Sequence, residues 1–351
     1  GPGHQREASK PEVNQVSQSG DQADELLRIA LNYADFMVGH GRDVYGREQS
    51  PLFASALNRS TMELDPGLAV VEIAGVRERD RSLGGSNVIH DSDLFRLLFS
   101  LHDLSGEGSY RKEAMEALKF FFNKGQSEAT GLMCWGEPLY WDFFTEDCGY
   151  APDYDFHETT AWPLWEEAYR MAPEASWRFA IGEWDHQIHD KQSGDFSRHA
   201  RWTCHETFSG FEFPRYAGQM MERWAYAYER PENIHRERRD ELLVAIEVLF
   251  NRMKENMSLT ESGYLPAGRS SQGDHRNLVW LTSNLELARC LEVSAPIMDR
   301  TVSDEMRFFA LKQDDDFLRA PHKLDSLDGG FAVTLHAQTG LPRERSMNKP
   351  Y

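Results

Sequence analysis

The chain has 351 residues, with 38 Lys and Arg against 57 Asp and Glu, for a formal net charge of −19. Hydrophobic residues make up 40% and aromatic ones 12%, enough to fill a sizeable core, which excludes global disorder. The acidic balance lacks the basic footprint of a nucleic-acid binder, and no stretch approaches the ~18 consecutive apolar residues of a membrane span.

Residues 1–20 are polar and unpatterned. They read as a disordered leader ahead of a single catalytic domain over 21–351. No signal peptide is present; a periplasmic or secreted protein written without its signal would begin in the same way. A helix is expected over 21–39, where Leu26, Leu27, Ile29, Ala30, Tyr33, Phe36 and Met37 recur at helical spacing before Gly39. Residues 70–76 suggest a short strand. The helical pattern returns over 91–104 through Leu94, Leu97, Leu98 and Leu101, with Asp91 as N-cap. Helices follow over 110–123, 162–171 and 173–190, the last opened by Pro173. Others are expected over 214–229, 231–257, 277–291 and 295–313. Residues 331–336 alternate apolar and polar, as one edge of a hairpin does.

The chain is thus predicted to be all-α with minor β content. Trp162, Trp165, Trp177, Trp184, Trp224, Tyr226 and Tyr228 read as packing between helices. No strict short repeat points to a common solenoid; helical hairpins of about 40–50 residues predict an α/α toroid instead. Its ring is incomplete or full, with long functional loops at one end. Fewer helices are recognised than a full ring needs, so any missing ones would lie near 50–85. Cys134, Cys148, Cys204 and Cys290 lack CxxC spacing, which argues against a zinc ribbon. A Cys134–Cys148 disulfide is one option, but free thiols are favoured in a chain of this size. Residues 314–316 read as a solvated acidic turn and 266–274 as a plain connector. No P-loop or strand-linked GxGxxG is present, so no nucleotide cofactor is implied.

Two irregular segments concentrate chemistry. Residues 131–160 hold Trp135, Glu137, Tyr140, Trp141, Asp142, His157 and Glu158. Residues 190–218 hold Arg198, His199, Arg201, His205, Glu206, Glu212, Arg215 and Tyr216. Loops this long are uncommon in compact domains unless functional. Aromatic faces beside ionisable groups suit a sugar: Trp135 and Trp141 to stack on it, Glu137, Glu212, Arg201 and Arg215 to bond its hydroxyls or carboxylate. The plainer reading is two solvated connections.

The stretches WGEPLYWD (135–142), FSRHA (196–200) and FEFPRYAG (211–218), with His157 and Glu158, resemble α/α-toroid polysaccharide lyases, especially the family 2 pectate lyases and related proteins. The resemblance spans about 87–228, under half of the chain. It implies a divalent metal, manganese- or calcium-like, held by two histidines and a glutamate, with an arginine beside one histidine as base. By position Glu158 would be the carboxylate ligand, His199 a histidine ligand and Arg198 the base. The pattern's other histidine follows the Gly-Glu, where this chain has Pro138. Glu137, His157 or His205 would have to compensate.

The implied reaction is β-elimination on an acidic polysaccharide or oligosaccharide. A base removes the C5 proton of a uronate while a metal or arginine neutralises its carboxylate. An arginine is a demanding base, with a pKa above ~12; His157, Tyr140 and Tyr216 are therefore alternatives. A glycoside hydrolase would instead use two carboxylates among Glu137, Asp142, Glu158, Glu206 and Glu212, roughly 5 Å or 6.5–9.5 Å apart. A sugar epimerase using His157 and His199, and a non-catalytic glycan-binding protein, complete the alternatives. The charge of −19 does not oppose an anionic substrate. Charges beyond about 10 Å are largely screened at ~0.1 M salt, whereas Arg198, Arg201 and Arg215 could act locally.

Overall fold

Apolar residues spaced three and four apart set the helices, and the computed structural model describes residues 14–65, 74, 77, 82, 84–230 and 236–346. Helix α1 (Asn14–His40) begins inside the segment expected to be a disordered leader, and it buries Ala34 and Met37. Helix α2 (Ser92–Ser105) buries Leu94, Phe95, Leu98, Phe99 and Leu101 and ends at Gly106, whose φ of 73° is the left-handed conformation glycine adopts freely. Helices α3 (Gly108–Lys124), α4 (Trp165–Met171), α5 (Pro173–His186) and α6 (Pro214–Tyr228) follow. Beyond them lie α7 (Glu241–Met257), α8 (Leu281–Ser294) and α9 (Arg300–Arg319).

Most helices pack on a neighbour in sequence, α1 on α2, α2 on α3, α4 on α5, and α8 on α9, while α6 touches α5, α7 and α8. This succession of paired helices around one core is an α/α toroid. Its apolar core runs from Ala34 on α1 to Ala310 on α9. The expected tryptophans fill it: Trp165 stacks on Phe179 at 5.6 Å and Trp184 meets Trp224 edge-on at 5.7 Å.

Several boundaries depart from expectation. Helix α5 stops at His186 because the chain turns into a hairpin, β5 (Ile188–Asp190) with β6 (Asp195–Phe196). Helix α7 starts at Glu241 after a 3-10 turn at Arg236–Arg238; residues 231–235 lie outside the described ones. Residues Leu278–Trp280 form a strand before α8, which shortens the helix expected over 277–291. Helix α9 starts at Arg300, where the Asp299 carboxylate accepts from the Thr301 and Val302 amides. The acidic run 314–316 lies on α9 rather than in a turn, with Asp316 paired to Lys312 at 2.6 Å. No helix occupies 50–65, and the strand expected over 70–76 lies outside the described residues but for position 74.

Short antiparallel ladders make up the β content. Strands β1 (Gly85–Ser86), β2 (Tyr140–Asp142) and β3 (Asp147–Gly149) form one. Strands β4 (Phe156–Glu158) and β7 (His199–Arg201) form another. The segment at Leu278–Trp280, β8, joins β9 (Phe331–His336) and β10 (Pro342–Ser346), so the expected hairpin edge at 331–336 is present. Folding β3 back on β2 brings Cys148 to Cys134, and the two form a disulfide with Cα atoms 5.7 Å apart, against the expectation of free thiols. Cys204 and Cys290 are free.

Asp91 precedes α2 without capping it; its carboxylate accepts instead from Ser86 Oγ at 3.3 Å. Burial pushes its pKa up to about 7, against the smaller opposing effect of that bond. The native carboxyl therefore keeps a proton that the unfolded one loses near pH 4, and stability falls as pH rises from about 4 to 7. Asp91→Asn removes this penalty. We expect it to be about 1–3 kcal/mol more stable than the parent at pH 8 and indistinguishable at pH 4, read by denaturant melts.

Candidate active site

The two segments expected to be irregular loops are stitched into a ribbon. Strands β4 and β7 pair Phe156 with Arg201, His157 with Ala200 and Glu158 with His199. Residues directly opposite across an antiparallel pair share a face. Glu158, His199, Phe156 and Arg201 therefore lie on one side, and His157 with Ala200 lies on the core side. The Thr159 amide donates to the Arg198 carbonyl at 2.8 Å, and the Arg198 amide donates to the Phe211 carbonyl at 3.2 Å. These bonds lock Arg198 between β4 and the approach to α6.

Around Arg198 the side chains converge. Its Nη1 lies 2.8 Å from Glu158 Oε1 and donates to Tyr216 Oη at 3.3 Å; its Nη2 lies 3.7 Å from Glu137 Oε2. Tyr216 Oη donates to Glu158 Oε1 at 3.3 Å and accepts from Arg215 Nη2 at 3.0 Å. Glu137 also pairs with Arg77 at 2.6 Å. Gly136 makes this approach possible: its φ is +114°, and a Cβ there would meet Glu158 Cβ at 3.0 Å. The buried Asn87 amide holds the Gly136 carbonyl at 2.6 Å.

Arg215, in the first turn of α6, differs from its neighbours. Its guanidinium lies 4.3 Å from the Trp280 ring centroid and 4.8 Å from that of Tyr216. No carboxylate lies within ion-pair distance of it among the described residues, and its buried Nε has no partner. Its backbone amide donates to Ser283 Oγ at 3.0 Å.

Burial, reinforced by the charge of Arg198, drives the His199 pKa down to about 4, so the ring is neutral at neutral pH. Burial pushes Glu158 up, opposed by Arg198. For Arg198, burial works against the charge, but Glu158, Tyr216 and Glu137 outweigh it and the guanidinium holds its proton more firmly than usual. That is the opposite of what the expected role of base requires.

Other expected site residues stand elsewhere. His157 is 0% exposed, with Nδ1 2.8 Å from the Met133 carbonyl and a pKa pushed by burial to about 3. It faces the core and does not meet a ligand. The Tyr140 hydroxyl bonds Asp142 at 3.2 Å, and burial raises its pKa to about 12. Trp135 is 1% exposed, stacked on Phe121 and tilted against Trp162. Trp141 is buried edge-on against Phe120 in β2. Neither tryptophan offers a face to a sugar. Glu212 is 2% exposed and bound to Arg252 at 2.8 Å and the Arg269 amide at 3.0 Å, a bond between loop and helix. Arg201 is committed to Asp155 at 2.7 Å and Glu206 at 3.0 Å. His205 Nδ1 faces His186 Nδ1 at 2.8 Å and compensates for nothing near Glu158.

The structure thus gathers Glu137, Glu158, Arg198, His199, Arg215 and Tyr216 from the expected set. Sequence reasoning misses Arg77, Asn87 and Trp280. Trp280 carries no local signal, since it falls within the expected helix 277–291. A cleft of about 390 Å³ has Trp162, Glu222, Tyr226 and Arg289 among its walls and none of the residues of the Arg198 cluster.

The periplasmic pectate lyase family matches this chain over residues 50–233. Two solved structures are similar in backbone course. One is an unsaturated glucuronyl hydrolase specific for heparin, 8% identical, with a TM-score of 0.48, covering 71% of this chain and 67% of that one. The other is a D-mannose isomerase, 11% identical, with a TM-score of 0.49, covering 76% and 68%. The family match takes in more than half of the chain, including every residue of the Arg198 cluster from Arg77 to Tyr216, and the chain belongs to the periplasmic pectate lyase family of carbohydrate-active enzymes.

Proposed function

We propose that the protein cleaves a uronate-containing polysaccharide or oligosaccharide by β-elimination. The observation that carries this reading is Arg215, a guanidinium held on Trp280 beside Tyr216 with no carboxylate partner among the described residues. It is free to take a sugar carboxylate through its planar fork. Neutralising that carboxylate acidifies the C5 proton next to it. Tyr216 first passes its hydroxyl proton to Glu158, the carboxylate to which it donates; as a phenolate held by the guanidiniums of Arg198 and Arg215, its Oη then removes the C5 proton. The C5–H electrons form the C4–C5 double bond, the C4–O bond breaks, and Tyr216 returns the proton to the departing oxygen. The family's name, which specifies pectate, a uronate polymer, supports the substrate class.

A second reading is hydrolysis. Glu137 and Glu158 both approach Arg198, and burial raises Glu158 as a general acid would require. A panel of uronate polymers separates the two. Elimination gives the ultraviolet absorbance of an unsaturated uronate with each new reducing end, and hydrolysis gives reducing ends alone. Retention on a polymer with no product of either kind would leave a binding protein. Within the first reading, Arg215→Gln lowers kcat/KM about 10²–10³-fold, because removing one partner of a desolvated charge pair costs roughly 2–5 kcal/mol. Its melting temperature stays near that of the parent, since no carboxylate is stranded. Unchanged kcat/KM would remove Arg215 from the site. We also propose a periplasmic or secreted location, on the family's name and on the Cys134–Cys148 disulfide, which needs an oxidising compartment. No helix among the described residues is long and apolar enough to cross a membrane.

A further inference from the structure

The three ligands that the resemblance implies for a divalent cation do not assemble in this chain. Pro138 offers no side-chain donor at the first position. Glu137 beside it is committed to Arg77 at 2.6 Å and leans toward Arg198 at 3.7 Å. Glu158 holds Arg198 at 2.8 Å and Tyr216 at 3.3 Å. His199 stands opposite Glu158 in the ladder, but its ring lies against Phe156 and Phe211. Among the described residues, the single group of three His, Cys, Asp or Glu donors within 4.8 Å of one another is Glu222, Glu286 and Cys290, away from this site. Arg289 bridges both of those carboxylates, at 2.6 and 2.8 Å.

What fills the space between Glu137 and Glu158 is a guanidinium. We infer that Arg198 takes the place of the divalent cation, and that the site is a metal-independent arginine centre. This inference rests on the reading of the cluster as the reaction site. The contacts support it. A divalent ion would have to displace a guanidinium that is already bonded to a buried carboxylate. In this arrangement Arg198 holds Glu158 turned toward Tyr216 and places a positive charge beside the Tyr216 hydroxyl.

The test is calorimetric titration of Mn²⁺ and of Ca²⁺ into the full chain freed of metal with chelator, with melting temperatures measured in chelator and in millimolar metal. The expected result is no saturable heat and identical melting temperatures. One equivalent of saturable binding that disappears in Glu158→Gln would overturn the inference, as would turnover that chelator abolishes and Mn²⁺ restores. Binding is read without substrate, so inactivity on every uronate polymer would sink the proposed reaction and leave the metal result standing.

Discussion

Tyr216→Phe lowers kcat on a uronate polymer by roughly 10²–10⁴-fold, the usual contribution of a positioned proton-transfer group. KM changes little, because the substrate carboxylate is held by Arg215 rather than by the phenol. The expectation follows from one oxygen. Tyr216 Oη is the atom on which Arg198, Arg215 and Glu158 all converge, at 3.3, 3.0 and 3.3 Å. Two cationic donors and one carboxylate acceptor allow it to shuttle a proton without leaving its place. The ring itself is buried against Phe213, so the variant keeps its packing. Tyr140→Phe is the matched control. Its hydroxyl bonds Asp142 alone and its pKa of about 12 suits no base near neutrality, so kcat stays within about twofold of the parent. If Tyr140→Phe were the silent enzyme and Tyr216→Phe the active one, the proton-transfer assignment would be reversed.

The sequence and the structure agree where chemistry is local and diverge where it depends on what faces what. Helices could be read because Leu94, Leu98 and Leu101, or Leu242, Ile246 and Leu249, repeat with the helical period. The ribbon of β4 and β7 could not, since three-residue strands are too short to show an alternation. Yet its register decides the site: it sends Glu158 and His199 to one face and His157 to the other. His157 and Trp135 drew attention by residue type, and only burial shows that both belong to the core. Arg198 and Arg215 are both arginines of the same segment, 190–218, in the sequence. What separates them is partnership: Arg198 bridges toward two carboxylates, whereas Arg215 lies on an aromatic face contributed by Trp280, 65 residues further along the chain.

The largest stability loss is expected from Arg223→Ala, about 3–5 kcal/mol at pH 8, because it strands a buried carboxylate. Arg223 is 4% exposed and Glu183 0%, and the two bond through a fork of 2.7 and 2.7 Å between α5 and α6. Burial raises the Glu183 pKa, and Arg223 opposes that rise. Without the arginine only the long bond from the Thr159 hydroxyl opposes it. The variant's native state then takes up a proton that the unfolded chain does not hold at neutral pH, so the loss shrinks as pH falls from 8 toward 5. Replacing both partners with apolar residues, Arg223→Met with Glu183→Leu, removes the stranded charge and recovers most of the stability. Activity does not recover with it. Arg223 Nη1 also donates to the Thr160 carbonyl at 2.8 Å, and Gln187 holds Thr159 Oγ1 at 2.8 Å, so together they fix the chain just beyond Glu158. A methionine cannot make that bond. The double variant should therefore melt near the parent while kcat remains about tenfold or more below it, as a small misplacement of catalytic groups produces. Full activity in a stable double variant would show that the Thr160 anchor plays no part in positioning Glu158.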